Sequence, residues 1–224
     1  MKKSCILVLV IVLISIFSTY SYAKQKDEDR YPIPIRNNYT SVVGTMDATS
    51  NIFNNQAKQT MFKKSMKHFQ TVTLTKGHYT FKPNADGFHG SRGLYWIVDA
   101  DFNNNVIKLG LVVQTVTTSL QGPVEVKVVQ IDTPYGSEEF YFLDSTILDD
   151  PDWDGYSDIG ILFPDTNSLS ARMANILNLM LKSEPKQTAW YGYGLHQNVS
   201  NTFSEKDIRG MKDAVELFEL LISN

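Results

Sequence analysis

Cysteine is almost absent from this sequence. The single one, Cys5, lies near the N-terminus, just before an apolar run from Ile6 to Phe17. The remainder of the chain therefore offers no thiol for catalysis, for a Cys-based zinc site or for a disulfide. A domain without disulfides depends for its stability on a hydrophobic core or on a bound metal.

An excess of positive charge is also lacking. The formal net charge is −3, and loss of Lys2 and Lys3 with the N-terminal segment would change it to about −5. Nucleic acids attract basic surfaces, so this charge argues against a nucleic-acid partner. Beyond the N-terminal run no apolar stretch is long enough to cross a bilayer, and we expect no membrane span after signal cleavage.

Residues 1–23 are typical of a secretory signal peptide. Lys2 and Lys3 form its positive start, Ile6 to Phe17 its apolar centre, and Ser21-Tyr22-Ala23 a cleavage site of small residues. An uncleaved N-terminal anchor is the alternative. This start, together with abundant Asn, Lys and Ile, favours a bacterial protein that is periplasmic or secreted.

Residues 24–40 are charged and contain proline, which predicts an extended leader, and residues 41–224 are interpreted as a single α+β domain. Apolar residues recur at helical spacing from Ser50 to Phe69, with lysines on the other face, and predict an amphipathic helix. Alternating or apolar runs predict strands at 71–75, 78–81, 94–100, 106–113, 124–131, 140–143 and 159–163.

Two further helices are expected towards the C-terminus. The first covers residues 168–181, and the second follows Ser204-Glu205-Lys206-Asp207, which resembles a capping box with Asp in place of the usual Glu. The predicted fold is therefore α+β, with an antiparallel β-sheet core, an N-terminal amphipathic helix and two C-terminal helices.

The most distinctive chemical pattern is the acidic stretch from Asp150 to Asp158. Its carboxylates stand at positions 1, 3, 5 and 9, and Gly155 at position 6 allows a sharp turn. A hard cation such as Ca²⁺ binds six to eight oxygen ligands. The pattern predicts a structural Ca²⁺ site, with the backbone carbonyl of Tyr156 and four side chains as ligands: Asp150, Asp152, Asp154 and Asp158. A metal-free turn rich in Asp and Gly is the alternative.

This stretch, Asp-x-Asp-x-Asp-Gly-Tyr-x-Asp-Ile, is similar to the calcium loops of EF-hand and dockerin modules. With a strand on each side it resembles more closely the loops of FG-GAP repeats in integrin propellers, and the Asp-Gly-Tyr-x-Asp loop of periplasmic proteins related to lysozyme inhibitors. The resemblance covers about ten residues. It departs from the EF-hand at position 12, where Ile161 replaces the bidentate Glu, and no second copy supports a propeller. What it implies is the loop chemistry and not a fold.

Two other stretches contain candidate ligand-binding residues. Gly87 to Gly93 has three glycines, and its His89 and Arg92 could hold an anion, although a flexible hairpin loop is the alternative. The second stretch is an aromatic loop that could bind sugar or peptide, with core packing of the same residues as the alternative. Its candidates are Trp190, Tyr191, Tyr193 and His196.

No catalytic residue is predicted. The histidines form no zinc motif, and nothing selects the members of a Ser-His-Asp triad. The sequence thus favours an exported, non-enzymatic binding or inhibitor-type protein with a structural Ca²⁺ loop, acting on another protein or on a cell-envelope glycan. The alternatives are a Ca²⁺-dependent hydrolase of cell-wall or glycan material and an immunity protein against a delivered toxin.

Overall fold

Strands outnumber helices in this protein, and the α+β prediction is wrong. The computed structural model describes residues 35–46, 55–84, 92–142, 145–150 and 155–222, with only the backbone of Arg92 and of 145–150. These residues form a mostly β structure of two antiparallel sheets with three α-helices. The strands are β1 (Val43–Thr45), β2 (Phe69–Thr75), β3 (His78–Pro83), β4 (Arg92–Asp101), β5 (Val106–Thr118), β6 (Val126–Thr133), β7 (Gly136–Tyr141), β8 (Ser145–Asp150), β9 (Gly155–Leu162), β10 (Ala189–Gly194) and β11 (Asn198–Thr202).

The larger sheet has the strand order β2-β3-β4-β5-β9-β8, and β1 pairs with β5 outside this path. One edge of β5 is shared by two partners. Val43 to Thr45 of β1 pair with its first residues, and β9 pairs with its second half from Leu111 to Thr118. The smaller sheet has the order β11-β10-β6-β7. Its first hairpin, β6–β7, is therefore inserted in the chain between two neighbouring strands of the larger sheet.

The helices are α1 (Gln56–Ser65), α2 (Asn167–Lys182) and α3 (Glu205–Ile222). The capping box predicted for α3 is present: the Ser204 backbone N–H donates to Asp207 Oδ2 at 2.6 Å, and the Asp207 N–H donates to Ser204 Oγ at 3.3 Å. Thr166 caps α2 by accepting from the Leu169 N–H at 3.1 Å. None of the three, nor any other described helix, is long and apolar enough to cross a membrane.

The prediction of an N-terminal amphipathic helix is also wrong. Helix α1 lies in mid-chain between β1 and β2, begins at Gln56 rather than Ser50, and has no buried residue. Phe69, the last member of the predicted apolar stripe, is the first residue of β2. The helical spacing continued by coincidence through a 3₁₀ turn, Met66–His68, into a strand. Residues 47–54 lie outside the described residues.

The main core lies between the helices and the inner faces of both sheets. Alternate residues of β4 enter it, namely Leu94, Trp96 and Val98, and α3 packs against β3, β4 and β5. Helix α2 packs against β6 and β7. The end of the predicted leader is joined to this core, because Asn178 of α2 bonds both to the Tyr39 N–H at 2.7 Å and to its carbonyl at 2.8 Å. Residues 1–34, with the predicted signal peptide, lie outside the described part.

Candidate functional site

Strand β10 exposes aromatic rings on one face and buries them on the other. Trp190 is 2% exposed and belongs to the core, whereas Tyr191 and Tyr193 are 38% and 40% exposed. Gly192 lies on the inner face with Trp190, where a Cβ atom would come within 2.9 Å of Val199 Cγ2. The stretch read from sequence as an aromatic loop is thus a strand with a period of two, and Trp190 is not available to a ligand on the exposed face.

The cross-strand register extends the exposed face over all four strands of the smaller sheet. Tyr193 lies opposite Asn198 and Val128, and Val128 lies opposite Tyr141. The next row contains Ser200, Tyr191, Gln130 and Glu139, and the third contains Thr202, Ala189, Asp132 and Ser137. We name this set of twelve positions the tyrosine face. Tyr141 is its most exposed ring, at 59%.

A hydrogen bond holds the ring of Tyr193, and a neighbouring carboxylate acts on Tyr141. The Tyr193 hydroxyl donates to Gln130 Oε1 at 3.3 Å, and Gln130 Nε2 donates to Asp132 Oδ1 at 2.8 Å. A hydrogen bond from the Tyr141 hydroxyl to Glu139, followed by the negative charge of that carboxylate, raises the pKa of Tyr141 above its usual value. The Tyr193 hydroxyl is therefore tied to the second row, which restricts its ring before any ligand arrives.

The charge of the tyrosine face has one sign. Among its twelve positions Asp132 and Glu139 are acidic, and none is basic. Its only aliphatic side chains are Val128, which is half-buried, and Ala189. The face is therefore a surface of separated aromatic rings with polar, acceptor-rich groups between them, and it does not resemble a continuous apolar patch.

The other predicted ligand-binding residues that the structure describes do not join this face. His196 lies in the turn between β10 and β11, with Nε2 at 3.8 Å from Glu125 Oε2. Arg92 is the first residue of β4 in the larger sheet, and His89 lies outside the described residues. Among the candidates that lie in the described residues, the structure brings together only Tyr191 and Tyr193.

Asp158, predicted as a calcium ligand, is a buried residue of strand β9. It is 2% exposed, and its Oδ2 accepts from the backbone N–H groups of Val124 at 2.5 Å and Glu125 at 3.1 Å. The Thr115 hydroxyl lies 3.4 Å from the same oxygen, and Oδ1 has no hydrogen-bond partner among the described residues. This carboxylate fastens the connection between β5 and β6, where Glu125 adopts a positive φ of 51°.

Only part of the predicted calcium shell lies among the described residues, where Tyr156 and Asp158 belong to strand β9. Position 150 pairs with Gly155, which is three residues from Asp158 and therefore on the opposite face of β9. Tyr156 lies between β5 and β8, so its carbonyl is directed to a neighbouring strand. The described residues contain no group of three or more His, Cys, Asp or Glu that could hold a metal. Asp152 and Asp154, and the side chain of Asp150, lie outside the description.

Sequence reasoning missed Tyr141, Gln130, Asp132 and Glu139. The signal was present in β6, where Val128, Gln130 and Asp132 alternate with Val129 and Ile131, but only the register shows that β7 and β10 lie on either side. No protein-family model, no curated protein and no solved structure matches this chain. The geometry of the site is thus the ground for assigning its function.

Proposed function

We propose that this protein is an exported, non-enzymatic bacterial binding protein and that the tyrosine face is its contact surface. The observation that carries the proposal is the presence of three exposed tyrosines on one face of the smaller sheet, two on β10 and one on β7. Tyrosine combines a large apolar ring with a polar tip and is a common anchor of binding surfaces. A ring already held by a hydrogen bond, as that of Tyr193 is, loses little further conformational freedom on binding, which favours affinity.

The signal-peptide pattern supports export, and the acidic pair on the face is consistent with a partner other than nucleic acid. A structural Ca²⁺ remains a prediction that now depends on Asp150, Asp152 and Asp154. No part of the proposed binding surface requires it.

The test compares the wild-type protein with a double variant, Tyr191→Ser with Tyr193→Ser. Each is used to retain components of the bacterial envelope. The matched control is Tyr135→Ser, since Tyr135 is 58% exposed but lies in the turn between β6 and β7. We expect wild type and control to retain the same component and the double variant to lose it.

Equal retention by all three proteins would contradict the proposal. Turnover of peptidoglycan or of simple ester or glycoside substrates by the wild-type protein would replace it with the hydrolase alternative. If the wild-type protein retains one other protein in stoichiometric amount and the double variant does not, the binding protein is of the inhibitor or immunity type.

A further inference from the structure

The spacing of two rings on the tyrosine face matches an extended repeating ligand. Tyr193 on β10 and Tyr141 on β7 lie in one row, separated only by Val128 of β6. Neighbouring strands are about 4.7–4.9 Å apart, which places the two ring positions about 9.5 Å apart across the sheet. This distance is comparable to the length of one disaccharide unit in an extended β-linked glycan.

The two rings also lean in the same direction. Strands β10 and β7 are both antiparallel to β6 and therefore run in the same direction, and the Tyr193 hydroxyl bonds to Gln130 in the adjacent row. Side chains on a strand stand off the sheet and lean along the strand. Two rings that lean alike present similar faces to solvent, so both can stack on the apolar faces of sugar rings in a single chain.

The polar groups between the rings suit a ligand rich in hydroxyl donors. The carboxylates of Asp132 and Glu139 only accept hydrogen bonds when ionised, and each has acceptor capacity beyond its internal partner. Sugar hydroxyls supply donors at the edges of rings whose faces are apolar. The absence of basic residues among the twelve positions opposes an anionic polymer, because its charges would face two carboxylates, and the nearby Arg172 is already paired with Glu138.

We infer that the ligand of the tyrosine face is a linear, uncharged glycan that lies across the strands, with alternate sugars stacked on Tyr193 and Tyr141. The inference rests on the proposed function, because it names the ligand class of the same surface. A protein partner fits the face less well, since the centres of protein interfaces, although rich in tyrosine, are depleted in Asp, Glu, Ser and Ala, all of which occur on this face. Here Val128 is the only large aliphatic side chain, and it is half-buried.

The experiment uses calorimetry of the purified protein with neutral β-linked oligosaccharides, from the monosaccharide to the hexasaccharide. Affinity should rise with length until the chain spans both rings and then level off. Tyr141→Ala should weaken binding of the longest oligosaccharide about tenfold or more, as expected for an anchor residue. Tyr141→Phe keeps the ring and should retain most of the affinity, and Tyr135→Ala should bind like wild type.

Two outcomes would overturn the inference. If no oligosaccharide binds although the envelope component is still lost with the Tyr191→Ser, Tyr193→Ser variant, the face is a binding surface but its ligand is not a neutral glycan. Retention that then falls steeply with rising salt would identify a basic protein segment instead. If Tyr141→Ala binds the oligosaccharides like wild type, the glycan does not lie across these two rings.

Discussion

Trp190 and Tyr191 are adjacent aromatic residues in one strand, yet one is buried in the core and the other faces solvent. The inner face of the smaller sheet also contains Phe140 and Ile131, which are fully buried, and the outer face contains the tyrosines. Aromatic content alone therefore does not separate a stabilising residue from a contact residue. The two-residue period of the strand places neighbouring side chains on opposite faces. The tyrosine hydroxyl can hydrogen-bond to water on the outer face, whereas the indole of Trp190 is buried in the core.

The largest expected effect is on the inner face. Trp190→Ala removes a fully buried ring and should lower the free energy of unfolding by about 3–5 kcal/mol. Urea denaturation of the purified protein measures this loss, and Tyr191→Ala on the opposite face is the matched control. Similar losses for both variants would show that the two faces of β10 are not different environments.

The buried carboxylate of the larger sheet should give the next largest effect. Asp158→Ala leaves the N–H groups of Val124 and Glu125 without their acceptor and should cost about 2–4 kcal/mol of stability. Asp158→Asn retains an acceptor oxygen, so we expect a smaller loss in the same denaturation measurement. If Asp158→Ala left the free energy of unfolding unchanged, this connection between the sheets would not need the carboxylate.

Calcium tests whether the acidic residues that precede β9 bind a metal. If Asp150, Asp152 and Asp154 bind Ca²⁺, the free energy of unfolding should rise by about 1.4 kcal/mol at a tenfold excess over Kd. This rise would be seen as a higher melting temperature in millimolar Ca²⁺ than in chelator. Asp152→Ala with Asp154→Ala should abolish this rise, and Mg²⁺ should give much less of it. Identical melting in Ca²⁺ and in chelator would leave the acidic stretch as a turn.

The smallest expected effect on stability belongs to the tyrosine face. Tyr191→Ser with Tyr193→Ser should change the free energy of unfolding by no more than about 0.5 kcal/mol per site, because exposed side chains add little to folding. The same denaturation series detects the change. A loss as large as that of Trp190→Ala would show that this variant unfolds rather than loses a contact surface.

The sequence predicted the elements whose signals are local. Helices α2 and α3 have capping residues and apolar stripes within their own segments, and β4 and β5 are long apolar runs. It failed for strands that bury little. Strand β11 buries only Val199, and β7 buries only Phe140 and is otherwise polar, so neither shows a clear alternation. Without these strands the second sheet was not recognised and the fold class was wrong.

The predicted site shows the same division. The alternation of Tyr191 and Tyr193 was visible, but their neighbours Gln130 and Tyr141 are far away in the sequence and are brought near only by pairing of strands. For Asp158 the local acidic pattern suggested a cation, whereas β9 begins at Gly155 and directs this carboxylate to the N–H groups of a distant connection. The spacing of acidic residues in a sequence predicts a metal-binding loop only when all of those residues lie in the loop.

The insertion of β6 and β7 between β5 and β9 has a consequence for synthesis of the chain. While a ribosome is still producing residues 119–154, the second half of β5 has no partner along the edge that β9 later occupies. That edge contains Leu111, Val112 and Val113, and open apolar edges pair readily with other chains. A product truncated before Gly155 should therefore self-associate, because the strand that covers this edge is made only after β6 and β7.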